Sequence, residues 1–384
     1  MKLMKFEGVK WLRQLKNKLL VVALLLASFG FVFISNQQNE EQRQTHLEEL
    51  SVLYNRYYDN LMSLQMTNEE VSEEAAATIS LYNQGMQAID EEYIGIDQDD
   101  WQRAISGYLA WQSNQLELLA VGENVGSEVD QAEVEMNLQV NQYFLDQKIE
   151  PLRYQKKISG LNTLQLFYQG AIGIVLVLVL VLLFFDLFTS EFENQSIKLL
   201  YTQPFKRSAF IKSKIQFAFF LVMGLSIALT IVIVLGGSLY SQDFGILRYP
   251  IVISEDFVLE LWQYLLLLFA TDVLWSVLVI LLIAWLSLVT KRSLLTIVLS
   301  IFLLAAPYAF IEMLDDGGSL WRWFPHYYLQ MPTIIQEAAI ADNLGAVLLQ
   351  GGVLLLLTML ILGVLLSYQI KKERTVNDMA IKIN

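Results

Sequence analysis

Long apolar runs alternate with polar segments along this chain, and six of the runs are long enough to cross a lipid bilayer. A bilayer core needs about 20 consecutive, mostly apolar residues in a helix. The six windows cover residues 19–35, 164–188, 215–240, 257–289, 293–311 and 345–368. The pattern therefore predicts an all-α, polytopic membrane protein with six transmembrane helices.

The polar residues between these windows predict the remaining organisation. We expect an amphipathic cytoplasmic helix, a first span, an acidic helical extracellular domain, a second span, a cytoplasmic coupling loop, spans three to six and a cytoplasmic tail. Their ranges are 1–18, 19–35, 36–163, 164–188, 189–214, 215–368 and 369–384. The first segment carries one apolar side on a helical wheel, which is typical of a helix lying flat in the inner leaflet.

The predicted extracellular domain shows helical periodicity. Apolar side chains recur at steps of three and four, as in a coiled-coil-like seam: Leu47, Leu50, Tyr54, Tyr57, Leu61 and Leu64. A second helical stretch, 129–158, is predicted to run straight into the second span. The aromatic residues Trp101, Tyr108 and Trp111 are interpreted as the domain core, with a ligand surface as the alternative.

The distribution of charged residues predicts the orientation in the membrane, and the composition limits which catalytic and metal-binding sites the chain can form. Alternate segments hold 17 of the 26 Lys and Arg residues, which places both termini in the cytoplasm. Residues 36–163 hold 23 Asp and Glu against seven Lys and Arg. The chain has no cysteine, which favours a bacterial cell membrane. With two histidines and no phosphate-binding loop, we expect no catalytic residue, metal site or cofactor in this chain.

The predicted cytoplasmic loop combines a short apolar face with cations. Ile197, Leu200 and Tyr201 fall three and four residues apart, and Pro204 ends the turn. Such a helix fits an apolar groove on a partner protein. The same pattern is equally typical of a helix that rests on lipid headgroups, and spacing alone does not separate these alternatives.

A family resemblance separates them. From Glu193 the loop reads Glu-Asn-Gln-Ser-Ile-Lys-Leu-Leu-Tyr-Thr-Gln-Pro-Phe-Lys-Arg, with Lys214 further on. It resembles the pattern Glu-x-Gly-Thr/Ser-Ile-x-x-Leu-Leu-x-x-Pro-x-x-Arg of permease subunits in type-2 ABC exporters. Gln195 stands where the pattern has glycine. The resemblance covers the six-span layout, the loop and the N-terminal helix, but not the acidic segment.

The resemblance implies a partner that supplies energy. It implies docking on an ATP-binding ABC subunit, present in two copies with ATP and Mg²⁺, through Glu193, Ile197, Leu200, Tyr201, Pro204 and Arg207. A second permease, the same or related, and membrane lipid are the other expected partners, and nucleic acid is not one. The expected activity is export of an amphiphilic or cationic substrate, such as a peptide, an antibiotic or a lipid-like molecule, with drug or antimicrobial-peptide resistance as the consequence.

Four residues are candidates for the substrate path. Asp272 is the clearest, because a charge at the centre of a span costs at least about 2.5 kcal/mol. Its alternatives are a subunit interface or a structural hydrogen bond. Glu312 lies near the end of the fifth window, and Trp321 and Trp323 belong to an aromatic segment around Pro325. That segment is interpreted as an interfacial belt or a re-entrant gate.

Two other classes of function remain open at this point. The chain could be an ABC-linked sensor or mechanical transmitter that acts through its acidic domain. It could also be a surface-anchored binding protein without a motor, which predicts that no ATPase accompanies it on purification.

Overall fold

The structure is a computed structural model, and it describes residues 2–67, 73–123, 131–170, 172–196, 207–254, 257–313, 321–340 and 344–383. Twelve α-helices and one β-hairpin occur in these ranges. The helices are α1 Lys2–Arg13, α2 Leu15–Thr67, α3 Glu73–Asp97, α4 Trp101–Ala120, α5 Gln131–Gln147, α6 Gly160–Gln169, α7 Ile172–Glu193, α8 Arg207–Ser241, α9 Leu261–Thr290, α10 Ser293–Met313, α11 Met331–Ile340 and α12 Leu344–Ile383. The predicted helical class is thus confirmed, apart from the hairpin.

Five helices of the described chain are long and apolar enough to cross a membrane. They are Leu15–Met66, Gly173–Glu193, Ser208–Ser241, Leu261–Thr290 and Leu344–Lys372. The predicted fifth span, 293–311, corresponds to α10, whose apolar part Ser293–Pro307 is shorter. A proline inside a helix removes a hydrogen bond and clashes with the preceding turn, and Pro307 lies in α10. Five of the six predicted spans therefore meet the length criterion.

Three local predictions differ from the structure. The window 164–188 is divided into α6 and α7. Residues 257–260, predicted as the start of a span, form strand β2 Phe257–Glu260, which pairs antiparallel with β1 Pro250–Ser254. Both strands are rich in β-branched and aromatic residues, which suit a pleated surface. The stretch 129–158 does not run into the second span, because α5 ends at Gln147 and Pro151 follows in an extended conformation.

The chain folds into two compact units. The first, called the apolar unit, comprises Met1–Gly30, Leu164–Val234 and Leu261–Asn384. Its core is built from one face of α7, on which Val177, Val181 and Phe184 are almost fully buried. Helices α9 and α10 pack against α7, and residues of α8 and α12 belong to the same core. The steps of four and three residues along α7 place Val177, Val181 and Phe184 on one face of the helix.

The second unit, called the acidic unit, comprises Phe31–Thr163 and Leu235–Glu260. Helices α3 and α4 form its central hairpin. The predicted seam of α2 is buried at Leu50 and Tyr57, and the Tyr57 ring meets Tyr82 of α3 edge-on with centroids 5.8 Å apart. Tyr108 and Trp111 are buried as well, which agrees with their interpretation as core residues, whereas Trp101 is only half-buried.

A buried carboxylate organises the polar interior of the acidic unit. Glu92 is fully buried and accepts hydrogen bonds from the Trp111 indole at 2.5 Å and from the Tyr154 hydroxyl at 2.9 Å. The His46 Nε2 atom lies 3.0 Å from the same carboxylate. Arg153 stacks over the Tyr108 ring, 4.0 Å from its centroid. The Glu92 carboxylate of α3 thus connects side chains of α2, α4 and the segment around Tyr154.

The basic residues that oppose the predicted orientation bind acidic and aromatic partners within this unit. Lys156 donates to Asp99 at 2.6 Å, and Lys157 lies 5.5 Å from the centroid of the Tyr240 ring. Although partial burial opposes it, the pairing with Lys156 and Arg43 lowers the pKa of the Asp99 carboxyl below its usual value. Local charge compensation therefore accounts for this cluster.

Close helix packing makes Gly107 a sensitive position. A Cβ atom at Gly107 would lie 2.3 Å from the backbone nitrogen of Glu92 on the neighbouring helix. We expect Gly107→Ala to destabilise the acidic unit by about 1–3 kcal/mol, because α3 and α4 must separate. Hydrogen exchange of the two helices measures this effect. Gly224→Ala in α8 meets open space and serves as the control, so equal exchange in the two variants would contradict the prediction.

Candidate functional site

The predicted docking segment lies between α7 and α8. Ile197, Leu200, Tyr201 and Pro204 fall outside the described residues. Arg207 is the first residue of α8, and Glu193 is the last residue of α7. The geometry of the site therefore rests on the two helix ends that flank the segment.

Glu193 fixes the start of another helix. Its carboxylate accepts a hydrogen bond from the backbone N–H of Ser293 at 2.6 Å. Thr189, one turn earlier on α7, bonds to the Ser293 hydroxyl at 2.7 Å. A carboxylate at a helix N-terminus satisfies a free N–H and interacts favourably with the helix dipole. The end of α7 and the beginning of α10 are thereby joined.

A buried ion cluster lies beside the docking segment. Glu191 of α7 pairs with Lys214 of α8 at 2.5 Å and also with Lys10 of α1. Lys214 also donates to the carbonyl oxygen of Leu187. The Glu191 and Lys214 side chains are only 4% and 1% exposed, so water contributes little to their stabilisation. The two helix ends are therefore held together by charge-assisted hydrogen bonds in a dry environment.

Glu7 completes this cluster from helix α1. Its side chain is 1% exposed, lies 4.0 Å from the Lys214 ammonium group and has no hydrogen-bond partner within the described residues. Burial raises the pKa of the Glu7 carboxyl above its ordinary value, and the positive charge of Lys214 opposes that rise. The four side chains, called the ion cluster below, are Glu7, Lys10, Glu191 and Lys214.

Further contacts attach α1 to the neighbouring helices. The Trp11 indole donates to the Leu183 carbonyl at 3.3 Å, and its ring meets Phe217 of α8 edge-on. Lys16, in the first turns of α2, pairs with Asp186 at 2.8 Å. The helical wheel identified the amphipathic character of α1 but not these partners. A wheel shows which residues of one helix share a face, whereas Glu7 and its neighbour Lys214 lie on different helices.

A second candidate region surrounds Asp272 in α9. Two small cavities of about 40 and 20 Å³ share part of their walls. The shared lining residues are Gly173, Asp272, Trp275 and Leu329. A Cβ atom at Gly173 would lie 2.7 Å from the Leu329 carbonyl oxygen, so glycine is needed where α7 approaches that segment. Asp272 therefore stands between two spaces large enough for water.

The other predicted path residues are not brought to Asp272. Trp321 and Trp323 form a short 3₁₀ turn, and neither lines the cavities described above. Glu312 lies in α10, and its side chain is outside the described part of the structure. Tyr328 and Leu329, in the next 3₁₀ segment, contact the second cavity instead. Their burial depends on the fold of residues 325–340 and has no periodic sequence signal.

Comparison with known proteins adds one match. Residues 147–306 match the family model described as ABC-2 family transporter protein. No curated protein and no solved structure matches the chain. The matched range contains the docking segment, Glu191, Lys214 and Asp272. The resemblance inferred from the loop is thereby confirmed over residues 147–306, which match an ABC-2 type transporter permease family.

Proposed function

We propose that the chain is the membrane-spanning permease of an ATP-driven exporter in a bacterial cell membrane, with both termini in the cytoplasm. Two separate ATP-binding ABC subunits supply ATP and Mg²⁺, and a second permease, identical or related, completes the transporter. The single observation that carries the proposal is the buried Glu191–Lys214 pair, which closes the docking segment within the range matching the ABC-2 family.

The ion cluster gives the docking segment a mechanical role. Because Glu191 and Lys214 are joined at 2.5 Å, the two helix ends that flank the docking segment are fixed to each other. A force on the docking segment then acts on α7 and α8 together, and on α1 through Lys10. Nucleotide drives transport only if the motor binds two permease conformations with different affinities. We propose that Glu193, Ile197, Leu200, Tyr201, Pro204 and Arg207 make that contact.

The charge distribution supports an amphiphilic or cationic cargo. Residues 36–163 hold 23 acidic against seven basic side chains, and such a field concentrates cations. Peptides, antibiotics and lipid-like molecules are the classes proposed, with resistance to drugs or antimicrobial peptides as the outcome. Asp272, Glu312, Trp321 and Trp323 are the proposed path residues.

Co-purification tests the docking assignment. We expect Leu200→Asp and Pro204→Asp to leave membrane insertion intact but to release the ATPase, because a charge in an apolar groove has no partner there. Thr202→Asp is the matched control, since it adds the same charge away from the face of Ile197, Leu200 and Tyr201. Full ATPase association and ATP-driven transport in both test variants would refute the assignment.

A mechanical transmitter is the second candidate, and one observation favours it. Helix α2 is uninterrupted over 53 residues and contributes to both units. A continuous helix is stiff enough to pass a displacement along its length. Deleting residues 36–158 and measuring transport in vesicles separates the candidates, because retained transport speaks against a transmitter. A purified sample without any ATPase chain would instead indicate a binding protein that has no motor.

A further inference from the structure

The carboxyl group of Asp272 has no counter-ion among the described residues. It lies partly buried in the middle of α9, and the described contacts give its carboxylate no hydrogen bond and no ion pair. The titratable neighbour is Tyr168, whose hydroxyl is bonded to Thr230. Ionisable side chains within membrane helices are rare and usually face a partner, an aqueous cavity or a transported molecule.

A hydrogen-bond donor without a partner lies one helical turn further along α9. Trp275 is 3% exposed, and its indole nitrogen has no acceptor within the described residues. Residues three apart share one face of a helix and are about 4.5 Å apart along its axis. Trp275 and Asp272 also line the same two cavities. The Asp272 carboxyl group and the Trp275 side chain therefore lie on one face of α9 and border the same spaces.

The wall of the larger cavity carries a few polar side chains and is otherwise apolar. Asp272 is accompanied by the hydroxyl groups of Ser226 and Ser276. The apolar wall comes mainly from leucines of α2, α7 and α8: Leu24, Leu176, Leu180, Leu183, Leu225 and Leu229. None of the lining residues is Lys, Arg or His. The wall thus combines one acidic group with a long apolar surface.

The size of the spaces restricts what can bind beside Asp272. Volumes of about 40 and 20 Å³ accommodate water or a group of similar size. An ammonium group is of that size, whereas a guanidinium or an aromatic ring is larger. The remainder of a ligand must therefore lie along the leucine wall, where the partly open space amounts to about 520 Å³ and apolar surface is favoured over water.

We infer that Asp272 is the counter-ion for the protonated amine of a single-headed amphiphile, whose apolar chain lies along the leucine wall. In a site of low dielectric constant an ammonium–carboxylate pair is strong, while an anionic headgroup is repelled. A neutral headgroup leaves the carboxylate unpaired. The inference rests on the proposed function only in treating this amphiphile as the transported cargo.

Thermal unfolding of the purified full-length chain tests the site with decylamine and decanol, which share one alkyl chain. We expect decylamine to raise the unfolding temperature of the wild type with an apparent affinity at least about tenfold higher than for Asp272→Asn, the loss expected for one charge-assisted hydrogen bond. Asp243→Asn removes an exposed carboxylate outside the cavities and should behave as the wild type. Decanol should affect all three proteins equally.

Two outcomes would overturn the inference. One is an equal effect of decylamine and decanol on the wild type, which needs no variant and so does not depend on how Asp272→Asn folds. The other is an unchanged decylamine affinity in a folded Asp272→Asn protein. Neither measurement involves the ATPase. Loss of ATPase association with retained amine selectivity would therefore contradict the proposed function alone.

Discussion

Replacing Lys214 by methionine is expected to destabilise the apolar unit by about 3–5 kcal/mol, the usual cost of removing one partner from a buried ion pair. The substitution leaves Glu191 with Lys10 and removes from Glu7, which is 1% exposed, the positive group with which it forms an ion pair. The midpoint of thermal unfolding of the purified chain measures the effect. Without the Glu191–Lys214 pair, the end of α7 and the start of α8 are held together less firmly, which should also weaken association with the ATPase.

Two control variants make this prediction specific. Lys212→Met removes an exposed positive charge two residues earlier, and we expect a change within about 0.5 kcal/mol. The double variant Glu7→Gln, Lys214→Met keeps the Lys10–Glu191 pair and removes the uncompensated carboxylate. It should therefore recover part of the lost stability. A Lys214→Met protein as stable as Lys212→Met would show that the ion cluster does not hold the helix ends.

Replacing Glu92 by leucine is expected to destabilise the acidic unit by about 3–5 kcal/mol, since buried donors and a charge lose their partner. The Trp111 indole and the Tyr154 hydroxyl would have no acceptor, and the nearby Arg153 would lose its compensating charge. Circular dichroism during thermal unfolding, together with hydrogen exchange of α3 and α4, measures the change.

The neighbouring residue provides the control for Glu92. Glu91 is the same residue type on the same helix, and its carboxylate pairs with Arg103 at the surface. Solvent screens exposed pairs, so Glu91→Gln should leave the unfolding midpoint nearly unchanged. Glu92→Gln, which keeps the shape and one acceptor, should fall between the two. Equal stability of Glu91→Gln and Glu92→Leu would contradict the claim that Glu92 stabilises the acidic unit.

The ion cluster and Asp272 differ in how their charged groups are compensated. In the apolar unit, four charged side chains balance one another beside the docking segment, and their removal one at a time creates an imbalance. Asp272 has no such balance among the described residues, so its neutral variant is not expected to destabilise the fold by this route. This contrast supports a structural role for the ion cluster and a ligand-binding role for Asp272.

The sequence predicted the features that depend on local pattern. Apolar windows near 20 residues predicted membrane-spanning helices, five of which meet that criterion, since a bilayer demands continuous apolar surface. The steps of three and four around Leu50 and Tyr57 identified a face that is buried. The loop that begins at Glu193 identified the permease family, which the match over residues 147–306 confirms.

Only the tertiary structure decided which charges meet. Glu7, Glu191 and Lys214 are separated by up to 207 residues, and no periodicity links them. Their pairing depends on the packing of α1 against α7 and α8. The same holds for Glu92 with Tyr154 and for Trp275 beside Asp272. Hydrophobic patterning determines which surfaces are buried, whereas partners for buried polar groups depend on the positions of distant helices, which a single sequence does not encode locally.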